Sequence, residues 1–329
     1  MKIQFFIRKQ INSQQWDNLL AQSPQSSLYA FSWYLDIVSP NWAALIALQG
    51  NDYQVVMPLP IAKNFGMAYI KQPLFCQQLG IFSKNTSIEQ ATMESFVAKV
   101  LQHFSYIASY HFNIQNPISF PLAAKAHEQK QEIYYTHLVS LEKDKETLQN
   151  NYNADRKMNL KRGLKTLETG TTSIKQSLDI ASLSAMFAQE VAHKIKGGVA
   201  KNAYNLLEKL FKALIERNLA TLYYTVNELG QQESGALFAV DKQKIIYLFN
   251  AGFEEFRKKN GRTLLLDKVL TENANQKKLF DFESPEVPNI ASFYASFGAE
   301  IVPFLHWHHN NLPCFVQFLK EWRKRRKLL

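Results

Sequence analysis

Hydrophobic and polar positions along this chain follow two periods, and the switches between them mark the elements. Residues 2–8 read as a strand. Ser13 then opens a short helix through Trp16, Leu19 and Leu20. Leu28, Phe31, Tyr34, Leu35 and Val38 recur at helical spacing, which predicts a helix over 28–38 stopped by Pro40. Strands are expected at 42–48, at 53–61 and around 68–82, followed by a helix over 88–104. A strand at 106–114, a short helix near 120–126 and a strand at 132–141 complete the first half.

The second half repeats this order. A strand is expected at 171–177, then helices over 180–195 and 202–217 separated by Gly197-Gly198. Three strands at 220–227, 234–241 and 245–251 are joined by short polar turns. A helix over 262–275, a strand at 279–283, a helix over 289–297 and a strand at 300–305 follow. Each half therefore reads strand, two helices, three strands, helix, strand, helix, strand. The architecture repeats, while no aligned residue motif does. Hairpin-linked strands point to mixed rather than purely parallel sheets. One continuous helical stretch is expected over 145–168, and a last helix over 313–327 with Phe315, Phe318, Leu319 and Trp322 as its apolar face.

At 329 residues the chain is long enough for two cores, and 46% hydrophobic residues can fill them. The boundary is expected near residue 144, giving domains 1–144 and 145–311. Cys76 and Cys314 are too few for a disulfide framework or a metal spacing. The first eight residues return to polar character too soon for a secretory signal, and no apolar run approaches a bilayer span. The expected compartment is the cytoplasm.

The formal net charge of +10 favours an anionic partner. Two clusters carry much of it. Arg156, Lys157, Lys161, Arg162 and Lys165 fall in one helical stretch free of acids from 156 to 165. Guanidinium forks suit phosphate oxygens, so Arg156, Arg162 and Lys165 are candidate ligands for a tRNA backbone, a nucleotide-sugar pyrophosphate or coenzyme A. The second cluster, Lys320 with 323–327, closes the chain and could touch anionic lipid head groups or remain a solvated tail. Neither is interleaved with base-stacking aromatics, so sequence-specific nucleic-acid reading is not indicated. His306, His308 and His309 lack a partner that completes a metal spacing, and no metal site is predicted.

Candidate chemistry concentrates in 279–300. Tyr294 precedes Gly298 by four residues in Tyr-Ala-Ser-Phe-Gly, after the alternating run Leu-Phe-Asp281-Phe-Glu283. This resembles the Tyr-x-x-hydrophobic-Gly pattern near the end of GNAT acyltransferases. The longer run from Asp281 to Ala299 is similar to the Fem-type, double-GNAT branch of peptidoglycan-bridge aminoacyltransferases. The resemblance covers nearly the whole chain. It implies an α/β fold of two tandem GNAT-like domains with mixed central sheets, and a C-terminal helix (312–329) that packs on the first. It also implies an acyltransferase that moves an aminoacyl or acyl group to an amine, such as one on a cell-envelope precursor. Aminoacyl-tRNA or acyl-CoA would be the co-substrate. Tyr294 would protonate the leaving group, and Glu283 or Asp281 would accept the amine proton. The other reading of these residues is that the Tyr packs and the carboxylates pair with lysines.

The segment Arg257-Lys-Lys-Asn-Gly261-Arg262-Thr263 occupies the place of the GNAT pyrophosphate loop, where backbone N–H groups at a helix start hold phosphates. Its spacing is one residue longer than the family's Q/R-x-x-G-x-G/A, and the second glycine is missing. Arg257, Gly261, Arg262 and Thr263 remain the candidate donor-binding residues. The first half has no counterpart of the Tyr-x-x-Phe-Gly pattern, so chemistry is expected in the second half. The rival expectation is a non-catalytic double-GNAT module that binds a nucleotide or sugar.

Overall fold

The computed structural model describes residues 2–64, 66–121, 128–195, 197–200 and 202–313. In chain order the elements begin β1 (Lys2–Ile7), α1 (Ser13–Gln22), α2 (Ser32–Val38), β2 (Ala43–Gln49), β3 (Asp52–Leu59), β4 (Ile61–Asn64) and β5 (Met67–Lys71). They continue β6 (Phe82–Ser83), α3 (Gln90–His103), β7 (Tyr106–His111), β8 (Glu128–Ser140), α4 (Lys145–Asn150) and α5 (Ala154–Glu168). Next come β9 (Thr172–Ser177), α6 (Ile180–Glu190), α7 (Ala203–Glu216), β10 (Ala220–Asn227), β11 (Gln232–Val240) and β12 (Lys244–Gly252). The described chain closes with α8 (Gly261–Glu272), β13 (Leu279–Asp281), α9 (Pro288–Ala295) and β14 (Glu300–Asn310). The expected helix near 120–126, the terminal helix and basic run, and Cys314 lie wholly or mostly outside the described residues.

Contacts divide the molecule into two compact units: residues up to Tyr134 with the segment from Pro303 onward, and Tyr135–Val302. The division falls inside β8 and β14. In the first unit β1, β2, β3 and β6 form an antiparallel sheet. Trp16, Tyr34, Trp42, Phe82 and Phe96 fill its core. Tyr110 is fully buried, so its hydroxyl needs a protein partner; it donates to Pro58 O (2.9 Å) and accepts from Gly80 N (3.0 Å). The helix expected over 28–38 is two pieces, a 3-10 turn at Leu28–Ala30 and then α2, because Phe31 between them is extended.

In the second unit the strand order is β8-β13-β12-β11-β10-β9. β12 and β13 pair in parallel, and the other neighbours are antiparallel. The sheet is therefore mixed, as the hairpin spacing suggested. Successive side chains point to opposite faces. Ala236 and Phe238 of β11 meet α8 in a core with Phe280, Phe282, Tyr294 and Phe297. Gly235, one position away, lies against Leu183 of α6. The two faces of the sheet are thus covered by different helices.

Two local departures from the expected elements shape this unit. The helical stretch 145–168, capped at its start by Asp144, breaks into α4 and α5 because it holds a second capping residue, Asn153. Asp144 accepts from Thr147 N, and Asn153 accepts from Arg156 N, each at 2.8 Å. The second cap places Arg156 in the first turn of α5. β13 ends at Asp281 rather than 283, since Glu283 adopts φ +49°. The expected alternation stops there. β12 continues six residues past its last pairing with β13, Ile246 to Asp281, so the sheet opens between these two strands.

Candidate functional site

Below this opening α8 begins. Gly261 starts the helix because nothing larger fits: a Cβ there would lie 2.4 Å from Ser234 Oγ and 2.5 Å from Thr225 Oγ1. Asn260 before it is left-handed (φ 60°, ψ 30°), and no side chain among the described residues caps the helix. The first N–H groups, including those of Arg262 and Thr263, are then available to a ligand.

They border a cleft of about 230 Å³ lined by Arg156, Asn159, Phe256, Arg262, Thr263 and Phe293 among others. Arg156 reaches it from α5. Helix α5 packs on α8 so closely that a Cβ on Gly163 would meet Leu264 at 2.9 Å. The Arg156 side chain is buried. It donates to Ser296 Oγ (2.9 Å) and Thr263 Oγ1 (2.5 Å), and its guanidinium stacks 4.3 Å from the Phe293 ring and 4.7 Å from Phe297. Burial, and then the charge of Arg262, pull its pKa down to about 10. The Arg262 guanidinium lies 5.6 Å from the centroid of the same Phe293 ring.

The acids of the cleft are already answered. Glu233 is buried and pairs with Lys259 and Thr172. Glu254 pairs with Arg257 at 3.0 Å on the exposed rim. No carboxylate among the described residues is within ion-pair distance of Arg156 or Arg262. Two guanidiniums and a helix start therefore face one cleft without a balancing anion, which suits a phosphate-bearing ligand. The segment expected to form an open phosphate loop is instead a 3-10 helix, Glu254–Lys259.

Tyr294 lies in the core beside the cleft. Its ring stacks on Phe282 at 4.8 Å and meets Tyr247 edge-on at 6.0 Å. Burial pushes its pKa up to about 12, while Arg262 and a hydrogen bond with Asn250 act in the opposite direction and Glu283 adds to the rise. The hydroxyl is thus protonated at neutral pH, and Arg262, Asn250 and Glu283 are its electrostatic neighbours.

Asp281 is buried and fully engaged. It accepts from Thr136 Oγ1 (2.6 Å) and Glu283 N (3.0 Å), and Lys244 Nζ lies at 3.5 Å. Glu283, two residues past the strand, is half-buried. Of the basic helix, Arg162 lines a groove beside the cleft with Arg257 and Asn159. Lys165 lies on a different side, with Lys157 and Lys161. The fold thus gathers Arg156, Gly261, Arg262 and Thr263 around one cleft with Tyr294 behind it.

Sequence reading did not single out Tyr247 or Asn250 on β12, nor Phe293 and Phe297 as the walls around Arg156. Tyr247 is buried, and its hydroxyl has no hydrogen-bond partner among the described residues. Nothing in the apolar run 245–251 distinguishes it. The signal that could have set Arg156 apart from the other basic residues of its helix is the Asn153 cap, which fixes where α5 starts.

No protein-family model matches the chain, and no curated protein matches it in sequence. Solved structures do match. A crystal structure of FemX superposes with a TM-score of 0.61 at 13% identity, over 93% of this chain and 97% of that one. A conserved protein of unknown function from Bacteroides thetaiotaomicron gives 0.55 at 7% identity, over 91% and 98%. A tandem GNAT protein from the clavulanic acid biosynthesis pathway gives 0.51 at 9% identity, over 95% and 99%. The fold is therefore α/β, of the tandem GNAT type shared with the Fem-like double-GNAT proteins.

Proposed function

We propose that this chain is an N-acyltransferase. It takes an aminoacyl or acyl group from an anionic donor and passes it to an amine, such as one on a cell-envelope precursor. The observation that carries the reading is the Tyr294 hydroxyl. Its side chain is buried beside a cleft that offers two uncompensated guanidiniums and a free helix start.

The donor is an aminoacyl-tRNA or an acyl-CoA. Its phosphates lie on the α8 N–H groups, Arg156 and Arg262, with Arg257, Thr263 and Arg162 at the edges. The carbonyl enters the opening between β12 and β13. The amine nitrogen attacks the carbonyl carbon and gives up its proton to Glu283, which Asp281 positions through the backbone N–H of Glu283. As the carbon–sulfur or carbon–oxygen bond breaks, Tyr294 protonates the leaving atom. The tyrosinate left behind is stabilised by Arg262 and Asn250 until it regains a proton. The amide forms against Phe293, which lines the cleft, with the buried rings of Phe282 and Phe297 nearby, where excluded water strengthens each polar contact. The crystal neighbours FemX and the tandem GNAT protein support the reaction class by fold.

The test begins with labelled aminoacyl-tRNA titrated with the protein at physiological salt, then challenged with acetyl-CoA. Retention with weaker binding of uncharged tRNA identifies the first donor, and saturable acetyl-CoA binding alone identifies the second. With the donor known, Tyr294→Phe is expected to slow turnover on the order of 10²-fold while donor affinity holds. Unchanged turnover would remove Tyr294 from the role. Donor binding with no turnover on any amine would favour the non-catalytic reading.

A further inference from the structure

Helix α9 separates two cavities within the second unit. Phe293 faces the anion cleft. Ala291, Ser292 and Ala295 face a different pocket of about 470 Å³, closed by Tyr135 and His137 of β8, the turn from Ser284 to Pro288, and Ile301. This volume is within the ~300–1,000 Å³ of ordinary small-molecule sites. No residue lines both cavities.

The lining is mostly aliphatic: Pro285, Val287, Pro288, Ala291, Ala295 and Ile301. Val287 and Ile301 are 45% and 60% exposed at its mouth, although large aliphatic side chains gain by burial. One polar group stands out against this wall. His137 is only 3% exposed, and its Nδ1 has no hydrogen-bond partner among the described residues. Buried polar side-chain atoms are almost always satisfied by protein or by something bound.

Charge is settled around it. Burial lowers the His137 pKa, so the ring is neutral at neutral pH. Asp281 is engaged by Thr136 and Lys244. Glu286, at the solvent rim, accepts from Tyr135 N at 2.9 Å. An anion entering the pocket would find no opposite charge to replace its water, and the one carboxylate of the lining, Glu286, is exposed at the rim, whereas a neutral hydroxyl or amide would find the His137 ring.

We infer that this pocket is a second binding site, separate from the acyl-transfer cleft, for an aliphatic chain carrying one uncharged hydrogen-bonding head group that meets His137. The site stands whether or not the acyl-transfer reading holds, because none of its lining residues is given a role there.

The probes are n-alkanols from butanol to octanol, titrated into the full chain while the His137 ring resonances are followed by NMR. Saturable shifts are expected, with affinity rising about fourfold per added methylene. Ala291→Phe, which puts a ring into the pocket from a half-exposed helix position, should abolish the shifts. Ile301→Asp, at an exposed site that folding does not depend on, should weaken octanol at least about tenfold. Absence of saturation, equal affinity for butanol and octanol, or wild-type octanol affinity in the Ile301→Asp protein would each overturn the inference.

Discussion

Replacing Arg156 by Met asks whether this buried guanidinium serves the fold or an anion. Met keeps the length and the apolar stem but removes the charge and the donors. The fold loses two hydrogen bonds, to Ser296 and Thr263, each about 1.5 kcal/mol for a charged donor on a neutral acceptor. It also loses the cation held against the Phe293 and Phe297 rings, about 1–2 kcal/mol, part of which a Met sulfur on an aromatic edge restores. Against this stands the cost of keeping a cation dry. A pKa drawn from the ordinary guanidinium value down to about 10 corresponds to about 3 kcal/mol at ~1.4 kcal/mol per unit. These contributions nearly cancel, so the unfolding free energy of Arg156→Met should stay within about 2 kcal/mol of wild type. Anion binding has no such offset. Losing a charge-assisted pair of donors should cost about 2–3 kcal/mol, or roughly 30- to 150-fold in affinity. Calorimetric titration with inorganic pyrophosphate reads the second quantity. Urea unfolding with and without pyrophosphate reads both, since a ligand at 100 times its Kd adds about 2.7 kcal/mol. A variant that unfolds more than about 4 kcal/mol more easily yet binds pyrophosphate as before would refute the reasoning, and would make Arg156 a structural cross-link.

Gly261→Ala forces a methyl to within 2.4 Å of Ser234 Oγ and 2.5 Å of Thr225 Oγ1, two hydroxyls already bonded to each other at 2.8 Å. A destabilisation of about 1–3 kcal/mol is expected, with pyrophosphate affinity lowered as α8 is pushed off the strands; urea titration and calorimetry check both. In the first unit, burial lowers the His111 pKa from 6.5 to about 4. Folding therefore favours its neutral ring, so this contribution is complete above pH 6.5 and is lost as pH falls through about 4, to a total of about 3 kcal/mol. His111→Gln should flatten that part of the acid limb in urea titrations between pH 7 and 4; His103, His137, His306 and His309, whose pKa values are also lowered, contribute to the remainder. An unaltered pH dependence in the variant would show that His111 does not carry it.

The periodicities were enough for the architecture because in this chain they coincide with burial. Leu207, Leu210, Phe211 and Leu214 recur at helical spacing and form the buried side of α7. Ala236 and Phe238 alternate on β11 and do meet α8. What was hidden from linear reading are the features set by backbone geometry. The split between β12 and β13 depends on where β13 stops, and that follows from the left-handed Glu283. The break between α4 and α5 depends on Asn153 acting as a cap inside what composition makes look like one helix. The site itself was partly legible. Gly261 announces a helix start, and the Tyr294-to-Gly298 spacing announces the helix end, where Gly298 is held at φ +73° against Asn151. The partners of Arg156 come from residues 107 and 140 positions away, a separation no local pattern encodes.

The same geometry reassigns the positive charge of α5. In the sequence Arg156, Lys157, Lys161, Arg162 and Lys165 look like one basic face. At 3.6 residues per turn, each step turns about 100°, so Arg156, Asn159 and Arg162 fall on one arc and Lys157, Lys161 and Lys165 on another. The structure follows this division: the first arc borders the clefts at α8, and the second lines a groove with Leu160 and Leu164. The two arcs differ in physics as well as direction. Arg156 is buried among rings, where salt screens little, while the lysines are exposed and their attraction decays over about a Debye length of 8–10 Å at ordinary ionic strength. A pyrophosphate confined to the cleft can use Arg156 and Arg262 but none of the lysines. Only a donor that continues past α5, as a polynucleotide would, can use both arcs. On the proposed reading, the outer arc is what a polynucleotide donor would add, and the inner arc would serve either donor equally.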